Sequence, residues 1–245
     1  MKVVGTIEAR MSASRLPGKM MLPLAGATML ERLVERLERA KSLSSVTVAS
    51  TVAPPDAVIA DLCERQGIAV HRGPIEDIAT RILEAAGDAD VIVQITGDCP
   101  LVDPEHVDRT VALLQSEQAD YASNSLKGCT FPIGFDVRCF TRAALEKALR
   151  LTDDPVDRVH GSYFIYRRPD LFKLAGWDAP AQMHWPELRL TVDEPADYEV
   201  VRRIYEALYP ANPAFTAADV VALMRGKPDW VALNSTVQQK TADQG

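Results

Sequence analysis

The first hundred residues alternate between two hydrophobic periods. Val3-Val-Gly-Thr-Ile7 is an apolar run with β-branched residues, which predicts a buried strand. Thr28-Met-Leu-Glu31 has the form of a capping box, and Leu30, Leu33, Val34 and Leu37 follow at helical spacing, predicting a helix to about Lys41. Val46 to Thr51 reads as a second strand. Pro54-Pro55-Asp56 opens a helix with Val58, Ile59 and Leu62 inward, closed by Gly67. Ile68 to His71 is a short third strand, and the helix from about Ile75 to Ala86 buries Ile78, Ile82 and Leu83. The fourth strand, Asp90 to Ile95, is almost continuously apolar, as a central parallel strand is. This alternation predicts an α/β fold, a mostly parallel sheet with crossover helices. Ligands in such sheets bind outside the carboxyl ends of the strands, so the loops at 8–19, 72–77 and 96–103 are expected on one edge.

The second half is less regular. Asp103-Pro104-Glu105 starts a helix carrying Val107, Val111 and Leu114, and Tyr121 to Ser125 reads as a strand. Phe131 to Phe140 reads as a bend followed by a strand. Thr141 caps a helix to about Leu151, and a further helix is predicted from about Pro155 to Arg167. Leu171 to Trp177 and Leu188 to Val192 read as strands. Helices follow at Pro195 to Leu208, with Val200, Val201, Ile204 and Leu208 inward, and at Phe215 to Met224. There is no internal repeat, so residues 1–230 are expected to form one domain. The polar residues 231–245 are expected to be a disordered tail.

Composition narrows the function classes. A chain of 245 residues can bury a substantial core, and 47% hydrophobic with 25% charged residues is ordinary for a globular protein. The net charge of −7 argues against nucleic acid or an anionic membrane surface as the main partner. No N-terminal targeting segment or bilayer-length apolar run is evident, and a cytoplasmic location is expected. Cys63, Cys99, Cys129 and Cys139 are scattered without a CxxC pair, which signals neither a zinc site nor a disulfide framework.

Against that acidic balance, residues 9–30 contain no Asp or Glu. Ala9, Ser12, Ala13, Ser14 and Gly18 alternate there with Arg10, Arg15 and Lys19, directly after the first strand. Small residues let backbone N–H groups approach phosphate oxygens, and Arg and Lys supply charge-assisted hydrogen bonds, so a nucleoside triphosphate suits this loop. A solvated basic loop is the competing reading. Gln94-Ile-Thr96-Gly97-Asp98 ends the fourth strand, where a carboxylate beside a glycine can hold Mg2+ next to a triphosphate or merely satisfy a turn. Asp193, between an apolar run and the helix opened by Pro195, is either a second such acid or a helix cap. His71-Arg72-Gly73-Pro74 follows the third strand, where Gly73 would let a flat base lie against backbone. Asp77 and Arg81, four residues apart on a helix, read most simply as a surface ion pair. Asp88-Ala-Asp90 resembles a metal-binding DxD but precedes its strand, at the wrong end of the sheet.

Ala9-Arg10-x-x-x-Ser14-Arg15-Leu16-Pro17-Gly18-Lys19 resembles the N-terminal signature of the cytidylyltransferases that make CMP-activated sugars, nearest the spore-coat-polysaccharide branch and then the CMP-Kdo synthetases. Gly97-Asp98-x-Pro100, Pro132-x-Gly134-x-Asp136-Val137, Arg158-x-His160 and Val192-Asp193-x-Pro195-x-Asp197 extend the resemblance. It implies a Rossmann-like, nucleotide-diphospho-sugar-transferase (GT-A type) three-layer sandwich. It also implies transfer of CMP from CTP to a sugar, acidic or modified, with release of pyrophosphate. Under it Arg10, Arg15 and Lys19 are catalytic, neutralising the leaving pyrophosphate. Ala9, Ser14, Arg72, Gly73, Asp77, Thr96 and Gly97 join them on the nucleotide. Gln94, Gly134, Asp136, Arg158 and His160 face the sugar. Asp98 and Asp193 bind Mg2+. A homodimer is implied, with 131–185 as the place for its interface. Three residues depart from the usual pattern: Glu8 stands where many members have Gln, and Arg138 and Val159 stand where relatives have Glu. Glu8 reads as strand-end or sugar-facing. A glycosyltransferase consuming a nucleotide sugar, or a non-catalytic CTP-binding subunit, remain alternative readings.

Overall fold

The computed structural model describes residues 1–126 and 128–239. In chain order the main elements begin with β1 (Val3–Glu8), β2 (Pro23–Leu24), β3 (Ala27–Thr28), α1 (Met29–Leu37) and β4 (Ser45–Thr51). They continue with α2 (Ala57–Gln66), β5 (Ala69–Gly73), α3 (Ile78–Ala85), β6 (Val91–Thr96), α4 (Pro104–Ser116) and β7 (Tyr121–Ser123). Then come β8 (Arg138–Thr141), α5 (Arg142–Leu151), α6 (Pro155–Val159), α7 (Tyr163–Arg167) and β9 (Leu174–Gly176). The last three are α8 (Pro195–Leu208), α9 (Ala217–Arg225) and α10 (Pro228–Leu233). Several boundaries follow caps legible in the sequence. Thr28 and Glu31 form the reciprocal capping box of α1, Thr141 caps α5, and Gly67 closes α2 at φ 68°.

The main sheet has seven strands in the order β5-β4-β1-β6-β8-β7-β9. β5, β4, β1 and β6 run parallel, and β8 is antiparallel to both of its neighbours. Alternate residues of the central strands enter different cores, as the two-residue period of a strand requires. Val91, Val93 and Ile95 pack with α1, α2, α4, α8 and α9 on one face, while Ile92 packs with α3, α5 and α7 on the other. The predicted mostly parallel three-layer sandwich is therefore what forms.

The second half corrects three expectations. The helix predicted across 155–167 is two short helices, broken where Gly161 takes φ 62°. A Cβ at Gly161 would lie 2.6 Å from Gln94 Nε2, so the break is where the chain presses on β6. Residues 188–192 form no strand; they meet the 131–135 loop through a single bridge, Ile133 to Arg189. That approach needs Gly134 at φ 105°, since a Cβ there would stand 2.6 Å from Thr191 N. The tail expected from 231 is in part ordered: α10 reaches Leu233, and the buried Asn234 amide donates to Arg189 O and Asp197 Oδ1. Residues 240–245 of that tail lie outside the described residues.

Candidate active site

β1 and β6 are neighbours, and both end at one edge of the sheet. Gly97 N donates to Glu8 O at 3.0 Å just beyond that pairing. Only a glycine fits here, because a Cβ on Gly97 would lie 2.4 Å from Glu8 O and 2.7 Å from the Met20 sulfur. The loop after β1 is tied down at both ends. Met11 N donates to the buried Asp56 carboxylate at 2.6 Å, and Gly18, at φ 75°, returns its N–H to Met11 O at 2.8 Å. The single turn Lys19–Met21 then buries Met20, which fixes the root of Lys19.

These strand ends open on a cavity of about 630 Å3, within the range of small-molecule sites. One half is lined by Arg10, Ser14, Arg15, Lys19, Asp98 and Asp193, among others. The other half contains Glu8, Arg81, Gln94, Arg138, His160 and Tyr166. Of the sequence-predicted residues, Ala9, Thr96 and Gly97 also line the cavity.

The first half is an ion network. Lys19 Nζ donates to Val192 O at 2.7 Å, to Asp193 Oδ1 at 3.2 Å and to Asp98 Oδ2 at 3.3 Å. Arg15 pairs with Asp193 Oδ2 at 3.0 Å and Glu194 Oε1 at 3.1 Å, and donates to Gln238 O at 3.0 Å. Arg189 also holds Asp193 Oδ2, at 2.6 Å, and the buried Asp197 at 2.9 Å. Asp197 in turn accepts from the Asp193 and Glu194 N–H groups, closing the first turn of α8. Burial acts to raise the Asp98 pKa, but Lys19 and hydrogen bonds from Thr96, Lys19 and Cys99 outweigh it and hold the carboxyl below its ordinary value. Arg10 is exposed and makes no hydrogen bond or ion pair with a described residue.

The second half has a different chemistry. Gln94 Nε2 donates to Glu8 Oε1 at 2.7 Å, and Ser162 Oγ donates to Gln94 Oε1 at 2.6 Å. Burial raises the Glu8 pKa, against the Gln94 bond and the charges of Arg81 and Arg138. Arg81 is 1% exposed; its Nη1 donates to Pro74 O and Ile75 O, while its buried Nε finds no partner. The Arg138 guanidinium makes no hydrogen bond or ion pair with a described residue. Burial opposes its charge, yet Tyr121, Asp136, Tyr166 and Glu8 keep it firmly protonated.

Several expected residues are not brought here. Arg72 donates to Thr51 O and Ala53 O at the end of β4, and the space beside Gly73 is filled by Arg81, His71 and Glu84. Both are the last residues of β5, the edge strand, which lies two places from β1. At about 4.8 Å per strand that is roughly 10 Å from the central loops. Asp77 caps α3 through Thr80 N and pairs with Arg158 at 3.2 Å, so the expected Asp77–Arg81 ion pair does not form. Arg158, Gly134 and Asp136 lie outside the cavity lining. Sequence reasoning missed Arg81, Tyr166, Glu194, Arg189 and Gln239. Arg81 was legible only as a helix-surface cation, and Gln239 only as tail. The DxD acids bind the N-terminus instead, Asp90 Oδ2 accepting from Lys2 N at 2.7 Å.

Among the described residues, no group of three or more His, Cys, Asp or Glu side chains could hold a metal. The donor set is smaller: two carboxylates and the Val192 carbonyl converge on one cation, the Lys19 ammonium. Oxygen donors around one positive charge suit Mg2+, which is commonly held by one or two carboxylates with water and substrate phosphates. No helix of the described residues is long and apolar enough to cross a membrane.

A family model described as Cytidylyltransferase matches residues 4–212. A solved cytidylyltransferase from Leptospira borgpetersenii superposes with a TM-score of 0.88 at 30% identity, covering 98% of this chain and 99% of that one. An uncharacterized protein from Methanocaldococcus jannaschii is 32% identical over 98% of both chains. The spore coat polysaccharide biosynthesis protein SpsF of Bacillus subtilis is 28% identical, covering 91% of this chain and 94% of its own.

Proposed function

The chain belongs to the cytidylyltransferase family, and from that premise we propose that it transfers CMP from CTP to a hydroxyl of a sugar, releasing pyrophosphate, for polysaccharide assembly. The observation that carries the reading is the cation-bearing loop Arg10–Lys19 meeting Asp98 and Asp193 in one cavity, at the carboxyl ends of β1 and β6. The polysaccharide role is supported by the likeness to SpsF.

In this reaction the sugar oxygen forms a bond to the α-phosphorus, and the bond from that phosphorus to the β-phosphate oxygen breaks. Negative charge then builds on the departing pyrophosphate. Arg10, Arg15 and Lys19 are the groups available to receive it, and fixed cations in a partly dry site stabilise such charge far better than water does. Gly97 admits the Glu8 backbone closely here and donates its own N–H to Glu8 O, which holds the two strand ends together at the rim of the cavity. Mg2+ fits Asp98 and Asp193, and when bound there it supplies Lewis-acid polarisation of a phosphoryl oxygen. Gln94, Glu8, Arg81, Arg138, Tyr166 and His160 would receive the sugar, and the two guanidiniums favour an acceptor that carries an anionic group. Cytoplasmic residence and a homodimer belong to the same reading, on the family resemblance alone.

The test is pyrophosphate release from CTP with Mg2+ across a panel of acidic sugars that includes 3-deoxy-manno-octulosonate. Acceptor-dependent release from CTP but not from ATP, GTP or UTP is the expected result. Transfer of a sugar from a nucleotide sugar, with no release of pyrophosphate from CTP, would replace this reading with the glycosyltransferase one.

A further inference from the structure

The cations that this reading assigns to the triphosphate do not wait empty-handed. Lys19 Nζ has three protons, and three oxygens take them: Val192 O, Asp193 Oδ1 and Asp98 Oδ2. An ammonium so saturated has no donor left for a phosphate. Arg15 is likewise held by Asp193, Glu194 and Gln238 O. Arg10 alone of the three cations makes no such bond among the described residues.

We propose that Lys19 is the resident occupant of the divalent-cation site, and that metal enters only as the triphosphate draws Lys19 and Arg15 off the acids. The proposal rests on the reading that Asp98 and Asp193 hold a metal beside CTP. Its logic is an exchange of ionic partners. A divalent ion alone must settle against the Lys19 ammonium, which is repulsive. A triphosphate alone must approach Asp98 and Asp193 while their cations are engaged. When both arrive, Lys19 and Arg15 move to phosphate oxygens, and the carboxylates they leave are taken by the metal. Each ligand thus removes the obstacle to the other, which is positive coupling between metal and nucleotide, and such coupling is reciprocal. The Lys19 side chain is 12% exposed and that of Asp193 15%, so these pairs are screened much less than surface ions. Arg10, unbound and exposed, is the group that first meets the triphosphate.

The test is calorimetric or paramagnetic titration of the full chain with Mn2+, with and without CTP. The unaltered protein should bind Mn2+ weakly by itself and much more tightly with CTP present. Lys19→Met keeps the stem and removes the charge, and it should tighten Mn2+ binding without nucleotide by about tenfold or more. Lys19→Gln, a second neutral side chain, should do the same, which guards against one variant folding poorly. Arg10→Gln removes a nearby but unengaged cation and should leave nucleotide-free Mn2+ binding as it was. CTP-enhanced Mn2+ binding in the unaltered protein, with no tightening in either Lys19 variant, would overturn the exchange while the cytidylyltransferase reading stands. No binding of CTP under any condition would overturn both.

Discussion

Gln94 Nε2 donates to Glu8 Oε1 at 2.7 Å and ties the floor of the cavity across β6 and β1. No cation lies within ion-pair reach of this carboxylate among the described residues, in contrast to Asp98 and Asp193. Burial therefore leaves its pKa raised above the ordinary 4.5. A carboxyl raised in the fold costs stability once both states are ionised, and costs nothing below about pH 4.5, where both are protonated. Glu8→Gln, which keeps the shape and can still meet Gln94, should accordingly melt higher than the parent at pH 7. That advantage should shrink as the pH falls toward 4.5 and can be followed by thermal melts over a pH series.

Gly97→Ala should damage both fold and site. The added Cβ would meet Glu8 O at 2.4 Å, a backbone atom that cannot swing away. Forcing β1 and β6 apart at their shared end is expected to cost about 1–3 kcal/mol, the usual range for overpacking. Denaturant unfolding measures the stability, and nucleotide titration measures the accompanying loss of affinity.

His106 gives the protein an acid limit remote from the cavity. It sits among Phe131, Phe135 and Trp177, its Nδ1 has no hydrogen-bond partner, and burial lowers its pKa to about 4 from 6.5. The unfolded chain takes up a proton that the folded one resists, so stability is full above pH 6.5 and is lost as the pH falls toward 4. A depression of that size is on the order of 3 kcal/mol. His106→Phe should flatten this limb of the stability profile between pH 6.5 and 4, whatever its effect at neutral pH.

Arg158 should prove structural. Its guanidinium reaches Leu149 O at 2.8 Å, Thr152 O at 3.1 Å, Asp153 at 3.0 Å and Asp77 at 3.2 Å, joining α6 to α3 and the end of α5. Arg158→Ala is expected to lower stability by about 1–3 kcal/mol, with CTP affinity unchanged in a titration at a temperature where the variant is folded.

What the sequence made legible follows the range of its physical signals. β1, β4, β5 and β6 and the helices between them show in the hydrophobic periods, because each is local. The cation loop and Asp98 could be placed on one edge for the same reason: they adjoin apolar strands, which pair side by side in the sheet. Asp77 and Arg81 were misread as partners because four-residue spacing is blind to what lies across the helix. Asp77 is taken by Arg158, and Arg81 by two loop carbonyls. Arg72 and Gly73 stand outside the cavity lining because β5 takes the sheet edge, which the chain order of strands does not reveal. The juxtaposition of Glu8 and Arg138 across β6, and the return of Gln238 to Arg15, are long-range contacts with no local pattern to announce them.

The most direct measurement is a thermal-shift panel of CTP, ATP, GTP and UTP, each with and without Mg2+. A ligand that binds only the folded state raises the melting temperature by mass action, and at 100 times its Kd that is about 5–10 °C for a chain of this size. The account predicts stabilisation by CTP above the other three, strengthened by Mg2+ and diminished in Lys19→Met and Asp98→Asn. Equal shifts for all four nucleotides, or a CTP shift indifferent to Mg2+ and to both substitutions, would contradict it.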